Sequence, residues 1–224
     1  MEQPQTSFEW GVYADATFAG LSVLIPIPLL DLLFERWFRQ RMPRSIADER
    51  GRRLPPEVLD ILNRGEGCST ASCLTLPIWL LFQLLKRLSR KILYFFTIKE
   101  AGDTLSHYWH RAFLINYMLD LGHLADAAEA HRAQAALEQT LDEIETSPLN
   151  QLAREVIRQT GRTLRTLLRV ARRGEENEVI ARDRAIMRSA WSDFGGYLRG
   201  VAAQYWDNYQ EIRAQPEAPP AAAQ

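Results

Sequence analysis

Apolar positions recur at intervals of three and four along almost the whole chain, and no stretch alternates as a half-buried strand does. The pattern predicts an all-α fold. A first helix is expected from Glu9 to about Leu24, where Pro26 and Pro28 break it. A second runs from about Leu29 to Met42, with Leu30, Leu33, Phe34, Trp37 and Phe38 on one side and arginines on the other. Ser45 is expected to cap a short helix that Gly51 ends, and Pro55-Pro56-Glu57 to open another that stops near Gly65. Beyond the small-residue loop 65–72, an amphipathic helix is expected from about Pro77 to Thr97, with a further one beginning near Ile98. The second half reads as an antiparallel bundle: Ala125 to about Ile144, a helix opened by Ser147-Pro148, and a long helix from about Glu178 to Ile212.

These elements group into a flexible N-terminus (1–14), an apolar domain of short helices (15–125), a helical bundle packed on or following it (126–213), and a disordered Pro/Ala tail (214–224). At 224 residues and 46% hydrophobic the chain is large enough for a substantial core. Two cysteines, Cys68 and Cys73, are too few for a disulfide framework, and the start lacks the basic and apolar regions of a leader. A reducing, cytoplasmic setting is the expectation.

Two apolar runs bear on membranes. Thr17–Leu30 and Cys73–Leu85 are uncharged but shorter than the roughly 18 to 20 residues of a spanning helix. Each is followed by basic residues, Arg36, Arg39 and Arg41 after the first and Lys86, Arg87, Arg90 and Lys91 after the second. A two-span hairpin would place one cluster on each side of the bilayer, against the positive-inside tendency. Apolar burial combined with basic edges instead suits attachment to the surface of an anionic membrane.

Net charge is near zero, 27 basic against 28 acidic residues, but the average conceals a stripe. Arg154, Arg158, Arg162, Arg165, Arg169, Arg172 and Arg173 fall within an arc of roughly 100° on one helical face, opposite Val156, Leu164, Leu167 and Ala171. Guanidinium groups bind carboxylate and phosphate alike, so the stripe specifies an anionic partner and leaves open a lipid surface, an acidic protein or a nucleic acid. Acidic residues on the flanking helices offer internal pairing as the competing use.

Candidate chemistry elsewhere is sparse. Glu100, Asp103, His107 and His110 share one helical arc at metal-ligand spacing, although a polar arc opposite an apolar one is also how any surface helix looks. The loop Gly65–Ser72 lacks the spacing of a phosphate loop, and Cys68 and Cys73 have no nearby histidine. In the last helix Gly196 and Gly200 would allow another backbone, from this chain or a second copy, to approach the 191–209 aromatics. No nucleophile, base and orienting group occur together, so neither hydrolytic or redox activity nor a cofactor is expected.

Leu24-Ile25-Pro26-Ile27-Pro28-Leu29-Leu30-Asp31, Arg39-Gln40-Arg41-Met42, the Ile46-Ala47 segment ending at Gly51 and Leu54-Pro55-Pro56-Glu57-Val58 resemble the opening of EcsC-like bacterial helical domains. Thr97 with Ala101-Gly102, and Leu121-Gly122, are similar to a motif near the end of those domains. The resemblance covers roughly residues 20–125 and departs from the family at Leu76–Leu85, where relatives carry a glycine-rich apolar hairpin. It implies an all-α domain associated with membranes or membrane-linked GTPases, with no catalytic residue to carry over. The expectation is therefore a cytoplasmic, peripherally membrane-associated binding or scaffolding protein. A soluble nucleic-acid-binding protein and a metal-dependent helical enzyme are the alternatives.

Overall fold

A computed structural model describes residues 4–24, 30–64, 90–144, 148–160, 188–189 and 191–215. Among these the fold is all-α: α1 (Trp10–Leu21), a 3-10 turn (Ser22–Leu24), α2 (Leu30–Glu49), α3 (Pro56–Arg64), α4 (Arg90–Asp120), α5 (Ala127–Glu143), α6 (Leu149–Thr160), a second 3-10 turn (Ser192–Phe194) and α7 (Gly195–Ala214). Most of the predicted helix 77–97, the part of the arginine helix after Thr160, the start of the predicted helix 178–212 and the tail after Gln215 lie outside the described residues.

Small side chains decide the centre of the fold. α1 carries Gly11, Ala14, Ala16, Ala19 and Gly20, which let α2 and α4 pack on both its sides. At Gly20 the neighbouring backbone itself comes close: an added Cβ would lie 2.5 Å from the Cα of Leu105. α4 is buried on almost every face from Tyr108 to Leu119, so it needs no polar side and runs unbroken where the sequence led us to expect a boundary near Thr97. Residues 10–14, expected to be flexible, form the start of α1. Phe8, Val12 and Tyr13 are buried, with Phe8 and Tyr13 each against Trp191 at ring separations of 5.3 and 4.5 Å. One continuous core thus runs from Phe8 to Tyr209 across both predicted units.

α2 departs from expectation for a physical reason. Met42 does not end it, and Pro43 lies inside it. Phe38, Met42 and Ile46 continue one buried stripe through the proline, so packing outweighs the missing backbone donor. Ser45 is not a cap. Its hydroxyl donates to the Asp15 carboxylate at 2.5 Å.

Two helix ends close in the same way. Gly51 and Gly122 have φ of 64° and 77°. Their N–H groups reach the Asp48 and Leu119 carbonyls, and the next residues, Arg52 and His123, donate to Ala47 and Met118. This double bond pattern requires a left-handed residue, which glycine adopts without strain.

α5 starts at Asp126, whose Oδ1 accepts the Glu129 N–H at 2.9 Å. It packs along α7 through a polar seam, where Asn208 donates to Thr140 Oγ1 at 3.1 Å and to Glu143 Oε2 at 3.0 Å. Gly196 and Gly200 face away from the described helices. A Cβ at Gly200 would meet nothing within 4 Å, and at Gly196 only Arg199 of the same helix. Gly200→Ala is therefore expected to raise stability by about 0.5 to 1 kcal/mol, the usual helical preference, as read by chemical denaturation. A loss of dimer at equal or higher stability would instead indicate a second copy docked on these glycines.

Candidate functional site

The outer face of α2 gathers what the rest of the described surface lacks. Leu32, Leu33 and Trp37 are 47, 62 and 51% exposed, and they are the exposed large hydrophobics among the described residues. Arg36 is exposed beside them, and Gln40, Arg41 and Arg44 continue the same helical stripe. Trp37 stands edge-on to the buried Phe38 at 4.7 Å, and the Arg41 guanidinium lies 4.6 Å over its ring.

Arg41 is anchored from beneath. Its Nε donates to both oxygens of the buried Asp15 at 3.0 Å, and Nη2 closes on Oδ1. With Ser45 donating as well, this carboxylate is satisfied and the α1–α2 contact is fixed in register. Of the basic residues assigned to the membrane edge, Arg36 is exposed, Arg39 is half-buried and Arg41 serves this ion pair. Lys86 and Arg87 lie outside the described residues, as do the side chains of Arg90 and Lys91.

The arginine stripe is described only at its start. Leu149, Leu152, Ala153, Val156 and Ile157 form the buried face of α6, as the periodicity predicts. Arg154 crosses α4 at Gly102, where an added Cβ would lie 2.9 Å from its Cγ, and its Nη2 is 3.6 Å from Asp103 Oδ1. Both charged groups are about two-fifths exposed, so the pair contributes no more than about 1 kcal/mol. This arginine is used inside the chain. The side chain of Arg158, and Arg162, Arg165, Arg169 and Arg172, lie outside the described residues.

Within the arc of Glu100, Asp103, His107 and His110, the three described side chains, Asp103, His107 and His110, do not converge. Asp103 turns to Arg154, His107 stands edge-on to Tyr108 at 5.7 Å, and the Glu100 side chain lies outside the description. His110 turns into the core. Its Nδ1 is 2.7 Å from the Ser106 carbonyl, which can only accept, so Nδ1 carries the proton and Nε2 accepts from the Tyr197 hydroxyl at 2.8 Å. Burial lowers the pKa of His110 to about 4. No group of three metal-ligating side chains occurs among the described residues.

Three arrangements escaped sequence reasoning because most of their partners are distant in the chain. Asp15 is one. His123 is another: it bonds the Tyr205 hydroxyl through Nδ1 at 2.8 Å and stacks on Tyr209 at 3.9 Å, and burial lowers its pKa. In the third, side-chain amides of Asn208, Gln139 and Gln204 donate to Glu143 and lower its pKa. A cleft of about 380 Å³ lies between the 51–55 loop and the 119–125 turn, with Arg52 and Arg53 at its rim and Leu54, Leu119 and Leu124 in its wall. Arg52 donates to the Leu119 carbonyl, so it completes a helix C-terminus, an electronegative end that repels anions.

No family model, curated protein or solved structure matches the chain. Among the described residues no helix is long and apolar enough to cross a membrane.

Proposed function

We propose that this protein is a non-enzymatic helical binding or scaffolding protein that attaches to the cytoplasmic surface of an anionic membrane. The observation that carries the reading is the cluster of Leu32, Leu33 and Trp37, roughly half exposed beside Arg36, while the other large apolar side chains among the described residues are at least partly buried. Apolar side chains gain free energy by leaving water, tryptophan favours the headgroup region, and each basic residue near an anionic surface adds about 1 kcal/mol. The resemblance to EcsC-like domains points the same way.

Co-sedimentation of the full chain with vesicles of phosphatidylcholine alone or mixed with phosphatidylglycerol tests this. Binding is expected to the mixed vesicles and to weaken with salt. Leu33→Gln with Trp37→Gln should weaken it about tenfold, because half of each side chain is already buried against the protein. Thermal unfolding should be unchanged. Wild-type protein that stays in the supernatant with mixed vesicles overturns the reading.

A further inference from the structure

We propose that Arg41 takes part in membrane attachment as a positioning residue, holding the Trp37 ring in the orientation that meets lipid, and not as a charge that attracts anionic headgroups; this rests on the membrane-surface reading above. Trp37, Arg41 and Ser45 follow one another at intervals of four and so form one row along α2. Against the row, on α1, stands the Asp15 carboxylate, 2% exposed. Arg41 bonds both of its oxygens through Nε and closes on one of them through Nη2. A planar fork held in this way cannot turn, so the guanidinium plane is fixed.

That fixed plane covers the indole. The central carbon of the guanidinium lies 4.6 Å from the centre of the Trp37 ring, and Phe38 meets the same ring edge-on at 4.7 Å. Phe38 is buried and stacks on Phe18 of α1 at 5.1 Å. Trp37 is thus gripped by two groups that α1 holds in place, although 51% of it is exposed. An exposed tryptophan ordinarily samples several rotamers and loses that freedom when it binds. Here the freedom is already restricted in the unbound protein, so more of the gain from burying the ring appears as affinity.

Charge points the same way. Arg41 and Asp15 carry opposite charges in direct contact, and at headgroup distance their fields largely cancel. Arg36 is exposed and enters no ion pair among the described residues, so a variant there reports long-range attraction. Lysine at 41 separates the two roles. It keeps a cation against the buried Asp15, but it has neither a fork for both carboxylate oxygens nor a flat face to lay on the indole.

The test compares the full chain with Arg41→Lys, Trp37→Gln, the double variant and Arg36→Gln on phosphatidylcholine vesicles containing rising shares of phosphatidylglycerol. Arg41→Lys should weaken binding about threefold at every share and every salt concentration. The loss in Arg36→Gln should grow with phosphatidylglycerol and fade with salt. In the Trp37→Gln background, Arg41→Lys should have no further effect, because Arg41 acts through the ring. Wild-type affinity in Arg41→Lys overturns the proposal and leaves the membrane reading intact. A loss that follows salt, or one of equal size without Trp37, does the same. No wild-type binding to any of these vesicles removes the membrane reading, and the proposal with it. With 5-fluorotryptophan incorporated, the fluorine line of Trp37, identified by its loss in Trp37→Gln, should be as broad in the wild type as the broadest of the other tryptophan lines. It should narrow severalfold in Arg41→Lys. A narrow wild-type line shows that the ring is not held and overturns the proposal even where Arg41→Lys fails to fold.

Discussion

Gly20→Ala is expected to lower the free energy of unfolding by about 3 kcal/mol, the upper part of the range for overpacked sites. The new methyl carbon would lie 2.5 Å from the Cα of Leu105, with the Cδ1 and Cβ of Leu105 at 2.8 and 2.9 Å. A long side chain can rotate out of such a contact, but the backbone of a buried helix cannot. α1 and α4 would have to separate, and the hydrogen bond of 3.0 Å from Trp109 Nε1 to Thr17 Oγ1 would stretch with them. Gly200→Ala, in helical backbone with open space around it, is the matched control and should move the opposite way. Urea denaturation of both variants measures the difference. Equal effects would show that the α1–α4 contact can open without penalty.

Acid should destabilise the protein before its carboxylates protonate. His110 titrates near 4 in the fold and near 6.5 when unfolded, so the folded state holds it neutral and the unfolded state binds the extra proton. Its full contribution is present above pH 6.5 and is lost as pH falls towards 4, because the group with the depressed pKa resists the charge that unfolding permits. For that shift the loss is about 2 kcal/mol by pH 5 and about 3 kcal/mol by pH 4. His123, shifted in the same direction, adds to the slope. His110→Gln removes the titrating group while keeping donor and acceptor atoms towards Ser106 and Tyr197. Its stability should fall much less than that of wild type between pH 7 and pH 5, and parallel profiles would show that His110 takes up no proton on unfolding.

Helix type, the limits of α1, α3 and α5 and the stop after α2 were legible because local chemistry sets them: periodicity, the Pro55-Pro56-Glu57 start and, for α2, the glycine at 51. Pro43 misled, since the reward for continuing α2 lies in the burial of Met42 and Ile46 against helices elsewhere in the chain. His110 misled similarly. A polar arc on α4 marks a surface only if no partner covers it, and Tyr197 comes from the far end of the sequence. The exposed Leu32, Leu33 and Trp37 could not be told from Phe38 by spacing alone, because apolar residues occupy more of α2 than its neighbours cover. Arg154 shows the same limit for charge, its partner Asp103 lying on another helix.

The contact of Phe8 and Tyr13 with Trp191 joins segments about 180 residues apart in the sequence in one aromatic cluster. A ribosome delivers residue 8 long before residue 191, so Phe8 and Tyr13 lack the ring that covers them until residue 191 has been made. Contacts this distant in sequence slow folding and leave apolar surface open to aggregation or chaperones in the interval. A chain shortened before residue 188 never closes the cluster, leaving Tyr13 and Trp109 without the ring that covers them. The loss of Trp191 is therefore felt at Phe8 and Tyr13, about 180 residues away in the sequence.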